Sequence, residues 1–487
     1  MQKIKKYIID NKYILLTVGI IILLLSEIRN PDPDTYWHIK NGEWIVKNGI
    51  PNVDPFSYSH GNFISHEWLF DIISYIVFNY LGYIGMWIFC HAFLGITLLI
   101  SYSLAAKKTN SMILPCVLSA ILILSNSSVA VLRPSLISSF LIVLTIYLLE
   151  NNKNIWIIPI LSLLCINIHG GMTFIILLIF ILYIFCNVYE KSIEINSKQF
   201  LYNIIVLISV IITLFITPYG IKCFTYGLTM PNYVTEKVTE FAPLIKNNKD
   251  IILLLTILIG PASMTFSGKK KLIDVLMTFM GLMMCLLWIR MLFLYAIIYI
   301  IYNAQYISDC FQEIKQRILK NHQLRFNMSK IVNTTTLMLV FMLIPLYIVS
   351  ISSANMVSDE RTSKYGTDCA PQTILNYIEE NHLDVTNNIM LNNYNFGGYF
   401  IFHDIPVFID GRADIYIEEF GNQPIFKDYL NMIEYKDDET LNLYDKYNIK
   451  YIATYTRSSL PKKLIASGLA KELVSDNNVV LLEIINK

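Results

Sequence analysis

Charged residues are scarce in this sequence: they make up 15% of its 487 residues, against about 25% in ordinary soluble domains, while 54% are hydrophobic. So much apolar surface needs lipid to cover it. The formal net charge is only +1, so no global field recruits nucleic acid, and the placement of each Lys and Arg matters more than their sum. The eight cysteines form no CxxC pair and lie mostly in or beside apolar segments. They read as small apolar fillers, which excludes a disulfide framework and a zinc site. Internal repeats and low-complexity tracts are also missing. The N-terminal MQKIKK and the apolar run from Tyr13 to Ile28 look like a secretory signal, but no small-residue cleavage site follows Leu25. An uncleaved first membrane span is the expectation.

What is abundant is apolar sequence in long runs. A helix needs about 20 apolar residues to cross the hydrocarbon core, somewhat fewer when polar ends snorkel. By that criterion eleven spans are expected: Tyr13 to Ile28, Tyr83 to Ala106, Met112 to Ala130, Leu136 to Leu149, Ile155 to Ile168, Met172 to Val188, Phe200 to Thr217, Ile251 to Phe266, Leu272 to Trp288, Met291 to Tyr306 and Ile331 to Ser350. The expected fold is an α-helical polytopic membrane bundle with a C-terminal extracytoplasmic α/β domain.

The segment Glu67 to Tyr80 is apolar too, and counting it as a crossing would invert all that follows. Basic residues decide. With 67–80 as an interfacial helix, one side collects Lys3, Lys5, Lys6, Lys107, Lys108, Lys153, Lys191, Lys198, the triplet Lys269 to Lys271 and the run from Lys315 to Lys330. This positive-inside pattern makes that side, with the N-terminus, cytoplasmic. The outer side then receives the loop 29–66, the Arg133-Pro134 turn, the Asn167 to Gly171 turn, the loop from Pro218 to Asp250, and Arg290. Residues 1–352 form the membrane domain. Beyond it, 353–487 turns polar, with a helical run at Pro371 to Asn381 and short apolar or alternating runs at Ile389 to Asn392, Tyr399 to Phe402, Val407 to Ile409, Tyr451 to Thr454 and Val479 to Ile484. That suits a small α/β domain with its own core.

The first outer loop carries the chemistry. Asp32-Pro33-Asp34 sits just after the first span, and because proline disfavours helix in the residue before it, extended backbone is expected there. Two carboxylates two residues apart on an extended chain address one ligand, as a general base on an acceptor hydroxyl or as ligands holding a divalent cation against a phosphate. The plainer reading is a solvated loop with helix-capping aspartates. Trp37, His38, Trp44, Asp54, His60, His66, Glu67 and Trp68 crowd the same loop. An interfacial aromatic belt explains the tryptophans but not the acids and histidines.

These residues resemble a family. An acidic motif directly after the first span, a long outer loop, a multispan bundle and a C-terminal extracytoplasmic domain are similar to the GT-C superfamily of membrane glycosyltransferases. The sub-pattern Asp32-Pro33-Asp34-Thr35-Tyr36-Trp37-His38, Asp54-Pro55-Phe56-Ser57-Tyr58 and His66-Glu67-Trp68 resembles a bacterial branch of it. The likeness in organisation covers most of the bundle, and the motif match is confined to this loop and a few turns. The resemblance implies that Asp34 or Asp32 is the catalytic base. Asp34 comes first because the order acid, any residue, aromatic, aromatic fits Asp34-Thr35-Tyr36-Trp37. One departure is that many members carry two adjacent acids where this chain places Pro33 between them.

Other positions are open to two readings. Arg133 and Arg290 fall at outer ends of expected spans, where guanidinium either grips the phosphate of a lipid-linked donor or snorkels to headgroups. His169, beside Gly170-Gly171, either faces a cavity or sits satisfied in its turn. Glu236 and Glu240 either contribute to an acceptor site or form a solvated face. In the C-terminal domain, Asp410 and Arg412 either form a salt bridge within a tight turn or belong to a surface that packs over the outer loop and helps bind acceptor.

The expected activity is inverting glycosyl transfer from a polyprenyl-phosphate-linked sugar to an extracytoplasmic glycan, lipid or protein. Asp34 and Asp32 act at the reacting hydroxyl, Arg290 and Arg133 at the donor phosphate, and Trp37, His38, Asp54, His66, Glu67 and His169 against substrate. A phosphate leaving group is already stable, so no cofactor is required and a divalent cation (Mg or Mn) held by Asp32 and Asp34 is optional. Membrane lipid is a partner and nucleic acid is not. Rival readings are a flippase or transporter, which calls for ionisable residues through the bilayer midplane, and a non-catalytic scaffold for envelope assembly.

Overall fold

The computed structural model describes residues 32–109, 111–124, 132–229, 234, 244, 251–320, 370–434 and 438–485. The expected spans 13–28 and 331–350 lie outside the described residues, as do Glu236, Glu240 and most of the lysine run 315–330. In chain order the α-helices are α1 (Pro33–Asn48), α2 (Trp68–Lys108), α3 (Ile113–Leu124), α4 (Pro134–Glu150), α5 (Ile158–Ile168), α6 (Thr173–Tyr189), α7 (Lys198–Thr213), α8 (Lys222–Thr229), α9 (Ile251–Phe266), α10 (Leu272–Leu287), α11 (Leu292–Lys320), α12 (Gln372–Glu380), α13 (Gly397–Phe402), α14 (Ile425–Glu434), α15 (Asp438–Lys446) and α16 (Ser459–Ala466). The strands are β1 (Ile389–Asn392), β2 (Ile449–Tyr455), β3 (Ala470–Ser475) and β4 (Val479–Ile484). The chain divides into two compact units. One holds 87–224 and 235–353 together with 1–28, and the other holds 29–86, 225–234 and 354–487.

The first unit is helical and wears its apolar residues outside. On α7, Leu201, Ile205, Ile208 and Ile212 are each more than half exposed and follow one helical face, a pattern that water would not tolerate. Inside, α11 is buried from Leu292 through Tyr302 and packs against α3, α9 and α10. Hydrogen bonds tie the helices across their seams: Asn303 Nδ2 donates to Thr278 Oγ1 at 3.0 Å, Tyr295 Oη to the Ile257 carbonyl at 2.7 Å, and Ser162 shares one with Thr213 at 2.8 Å. At one set of helix ends, Lys108 Nζ lies 3.2 Å from Glu150 and 3.5 Å from Asp274, which also accepts from Tyr306 Oη at 2.8 Å.

Among the described residues three helices are long and apolar enough to cross a membrane: Trp68–Lys108, Gly170–Tyr189 and Ile289–Gln316. The other apolar helices run 10–17 residues. The segment expected to be interfacial is continuous with the span after it in secondary structure, but the helix breaks at Gly82 (φ 62°, ψ −162°), a conformation that only glycine adopts readily. Residues 68–81 and 83–108 are therefore two helices joined at a kink.

The second unit joins the first loop to the C-terminal domain. Its sheet has the order β1-β2-β4-β3, with β1 parallel to β2 and the other pairs antiparallel. Tyr36 and Trp37 of α1 are buried in one core with Ile374, Met390, Phe396, Phe400, Val407, Ala453 and Leu481. Backbone bonds stitch the loop on: Val407 N–H donates to the Phe56 carbonyl and Tyr58 N–H to the Val407 carbonyl, each at 3.1 Å. Tyr58 Oη donates to the Val385 carbonyl at 2.6 Å, and burial pushes its phenol up to about 12.

Several local expectations need correction. The backbone from Asp32 to Asp34 is not extended throughout: Pro33 opens α1 at its first position, where its missing N–H costs nothing. Residues 399–402 form part of α13 instead of a strand, because Asn393 caps the preceding turn by accepting from Asn395 N–H at 3.0 Å and launches the chain helically. Val407 makes only an isolated parallel bridge to Ser57. The strand β3 has largely exposed, charged positions, so its sequence carried little apolar signal.

Candidate functional site

Asp32 and Asp34 stand at the N-terminus of α1. Asp32 is its cap, accepting the Asp34 backbone N–H on Oδ1 at 3.0 Å, so the two side chains do not simply point the same way. Asp34 is half-buried, and its Oδ1 accepts the Trp37 indole N–H at 3.1 Å. The N-terminus of α1 rests on two glycines of the C-terminal domain. A Cβ at Gly398 would strike the Pro33 carbonyl, and one at Gly411 would strike Asp34 Oδ1. Helix end, indole and glycine together fix one carboxylate oxygen.

One turn on, His38 is buried and shares a 2.5 Å hydrogen bond through Nδ1 with Asp71 of α2. Gly42 makes this contact possible, since a Cβ there would run into the Asp71 backbone. Asp71 also accepts Asn41 Nδ2 at 2.6 Å and Ser65 Oγ at 3.3 Å, and His38 Nε2 lies 3.8 Å from Glu67. Burial opposes charge on the His38 imidazole, but the Asp71 hydrogen bond and the charges of Asp71, Glu67 and Asp34 outweigh it and raise the pKa above the ordinary value. The His38 ring lies tilted against Trp37, with 3.7 Å between ring centroids, and so touches the indole that holds Asp34.

Glu67 and His66 continue the cluster. Their side chains are 13% and 16% exposed and 3.8 Å apart, and the His66 ring stacks on Tyr226 at 3.8 Å. Tyr226 hydrogen-bonds Asp414, and burial together with the charges of Asp414 and Glu67 holds its phenol well above the ordinary range. Asp414 is buried, with no hydrogen-bond partner on Oδ2 among the described residues, and burial lifts its carboxyl to about 7 against the pull of Tyr226 and Arg412.

Asp54 belongs to a different assembly. It caps its own turn, accepting Ser57 N–H at 2.8 Å, and it meets Arg412 Nη1 at 2.6 Å. Arg412 grips Asp410 bidentately through Nε at 2.8 Å and Nη2 at 2.6 Å, and Tyr416 Oη donates to the same Asp410 carboxylate at 2.5 Å. The salt bridge expected between Asp410 and Arg412 is present, and Asp54 is its third member. The guanidinium is ringed by Trp37, Phe56 and Phe63 at 5.1–5.7 Å, and the carboxylates outweigh burial to hold its pKa well above the ordinary value. All three charged groups are buried, so Asp54 locks the loop to the domain.

The second unit thus brings together Asp32, Asp34, Trp37, His38, Asp54, His66 and Glu67. Arg133, His169 and Arg290 belong to the helical unit. Arg133 is extended (φ −133°, ψ 152°) and half-buried before the Pro134 that opens α4. His169 ends α5, and Gly170 after it lies where a Cβ would meet the Cys223 carbonyl. Arg290 is exposed in the short turn Ile289–Met291 between α10 and α11. Among the described residues, no three His, Cys, Asp or Glu side chains cluster as a metal site.

The chain matches no protein-family model and no curated protein. Asp71 and Tyr226 are not singled out by the sequence, whereas Asp410 and Arg412 are expected there as a salt bridge or as a surface over the outer loop. Asp71 had a usable signal, being the lone acid within the apolar run 68–80. Tyr226 needed the fold to bring it beside the loop.

Proposed function

We propose that the protein is a membrane glycosyltransferase of the GT-C type, transferring a sugar with inversion from a polyprenyl-phosphate donor to an extracytoplasmic acceptor. The observation that carries this reading is Asp34: a half-buried carboxylate with Oδ1 held by the Trp37 indole at 3.1 Å and near His38, whose Nε2 in turn lies 3.8 Å from Glu67. In the proposed step Asp34 takes the proton of the acceptor hydroxyl and the hydroxyl oxygen bonds to the anomeric carbon. The bond from that carbon to the phosphate oxygen breaks, and its electron pair leaves with polyprenyl phosphate. Arg290 and Arg133 are assigned to the donor phosphate and His169 to substrate binding. His38, fixed by Asp71, and Glu67 orient the acceptor, while Asp54 is assigned a supporting role through Arg412. Mg or Mn at Asp32 and Asp34 remains an optional addition, with one oxygen of Asp32 already engaged in capping.

The same reading keeps eleven spans, a cytoplasmic N-terminus, an interfacial helix before Gly82 and an extracytoplasmic C-terminal domain. The described ionisable cluster of the helical unit, Lys108 with Glu150 and Asp274, lies at helix ends. That placement does not suit a transporter, whose charges belong at mid-membrane. The test uses membranes holding the full chain and a radiolabelled polyprenyl-phosphate sugar. Asp32→Ala combined with Asp34→Ala abolishes release of polyprenyl phosphate, and undiminished release by that double variant sinks the reading.

A further inference from the structure

The face of α1 that carries Trp37 and Lys40 continues to Trp44 and Lys47, and there it borders a cavity of about 280 Å³. The cavity is unconnected with the roles assigned above. Its wall is apolar on one side, with Phe56, Pro55, Ile405 and Pro406, and Trp44 meets Phe56 edge to face at 5.9 Å. Its rim is charged but balanced. Lys40 Nζ bonds Asp404 at 2.7 Å and Glu43 at 3.0 Å, and Lys47 Nζ bonds Glu43 at 2.5 Å. Two ammonium groups against two carboxylates leave no net field to select a phosphate or a carboxylate ligand. Aromatic and aliphatic surface beside a neutral set of donors and acceptors suits a ligand with an apolar face and a rim of hydroxyls, which is the chemistry of a pyranose ring.

We infer that this groove binds a neutral saccharide unit, which under the proposed function belongs to a glycan acceptor. Trp37 and Trp44 are seven residues apart, two helical turns on one face and about 10 Å along the axis. The acceptor role rests on the glycosyltransferase reading; saccharide binding at Trp44 does not.

The test is ligand-observed saturation-transfer NMR on the full-length protein in detergent micelles, with maltotetraose, cellotetraose and chitotetraose as probes and a hexa-alanine peptide as competitor class. At least one tetrasaccharide binds saturably, Trp44→Ala weakens it at least tenfold, and Trp44→Phe restores most of the loss. Absence of signal from all three sugars, equal binding by Trp44→Ala, or binding of the peptide in their place overturns the inference. Binding at Trp44 together with transfer that survives loss of Asp32 and Asp34 would retire the enzyme reading and keep the groove. Transfer lost in that double variant with no saccharide bound would do the reverse.

Discussion

Two groups of acids sit within the same compact unit and are treated in opposite ways. Asp54 and Asp410 are buried, and between them they occupy every nitrogen of Arg412. Asp34 and Glu67 keep contact with solvent, and Asp34 is steadied by the Trp37 indole N–H and a helix end. Pairing with a guanidinium and full burial shut a carboxylate away from any ligand, whereas partial exposure on a rigid mount leaves it accessible. In the proposed reading the first group holds the fold and the second does the chemistry, although Asp34 and Asp54 come from the same loop.

Breaking the holding group has the largest structural effect. Arg412→Ala leaves two buried carboxylates uncompensated and is expected to cost about 3–5 kcal/mol, read as an early unfolding transition of the purified protein. Arg412→Lys, which cannot bond bidentately, recovers only part of it. A loss under about 1 kcal/mol would dissolve the distinction between the two groups.

A pH series sharpens the comparison next. Asp414 has its carboxyl raised from 3.8 to about 7 in the folded protein. The native state therefore binds more protons than the unfolded chain across that window. The associated stability is complete below 3.8 and is lost as pH rises through about 7. His38, also raised, adds a loss of the same sign that is completed above its ordinary 6.5. Asp414→Asn should flatten the dependence of the unfolding midpoint between pH 4 and 7, an effect on the order of a few kcal/mol, and leave the His38 portion in place. An unchanged slope in that variant contradicts the assignment.

The smallest effect concerns the cap. Asp32→Ala removes the acceptor for the Asp34 N–H and should cost about 1 kcal/mol, while Asp32→Asn, an equally good cap, costs a few tenths. If the Asn variant loses as much stability as the Ala variant, Asp32 is held by its charge and not by capping.

The sequence made the kinds of element more legible than their partners. Apolar runs located most helices of the first unit, and alternating runs located β1, β2 and β4, because both rest on local periodicity. It hid α1, because Pro31 and Pro33 at its start and its mixed polarity suggest extended loop, although Asp32 caps it. The site followed the same division. Asp34, His38, His66 and Glu67 stood out by crowding one loop, whereas Tyr226, Asp414 and Arg412 are remote in sequence and reach it only through tertiary packing.

The central claim is that Asp34 acts on substrate while its buried neighbours hold the fold. Its most direct test measures, on one purified preparation of Asp34→Asn, both the unfolding midpoint and the release of polyprenyl phosphate from a labelled donor. The account predicts a midpoint within about 1 kcal/mol of the parent, as for a half-exposed side chain, and transfer reduced by about 10² to 10⁴. Transfer preserved in a folded variant, or transfer lost only in step with stability, would contradict it.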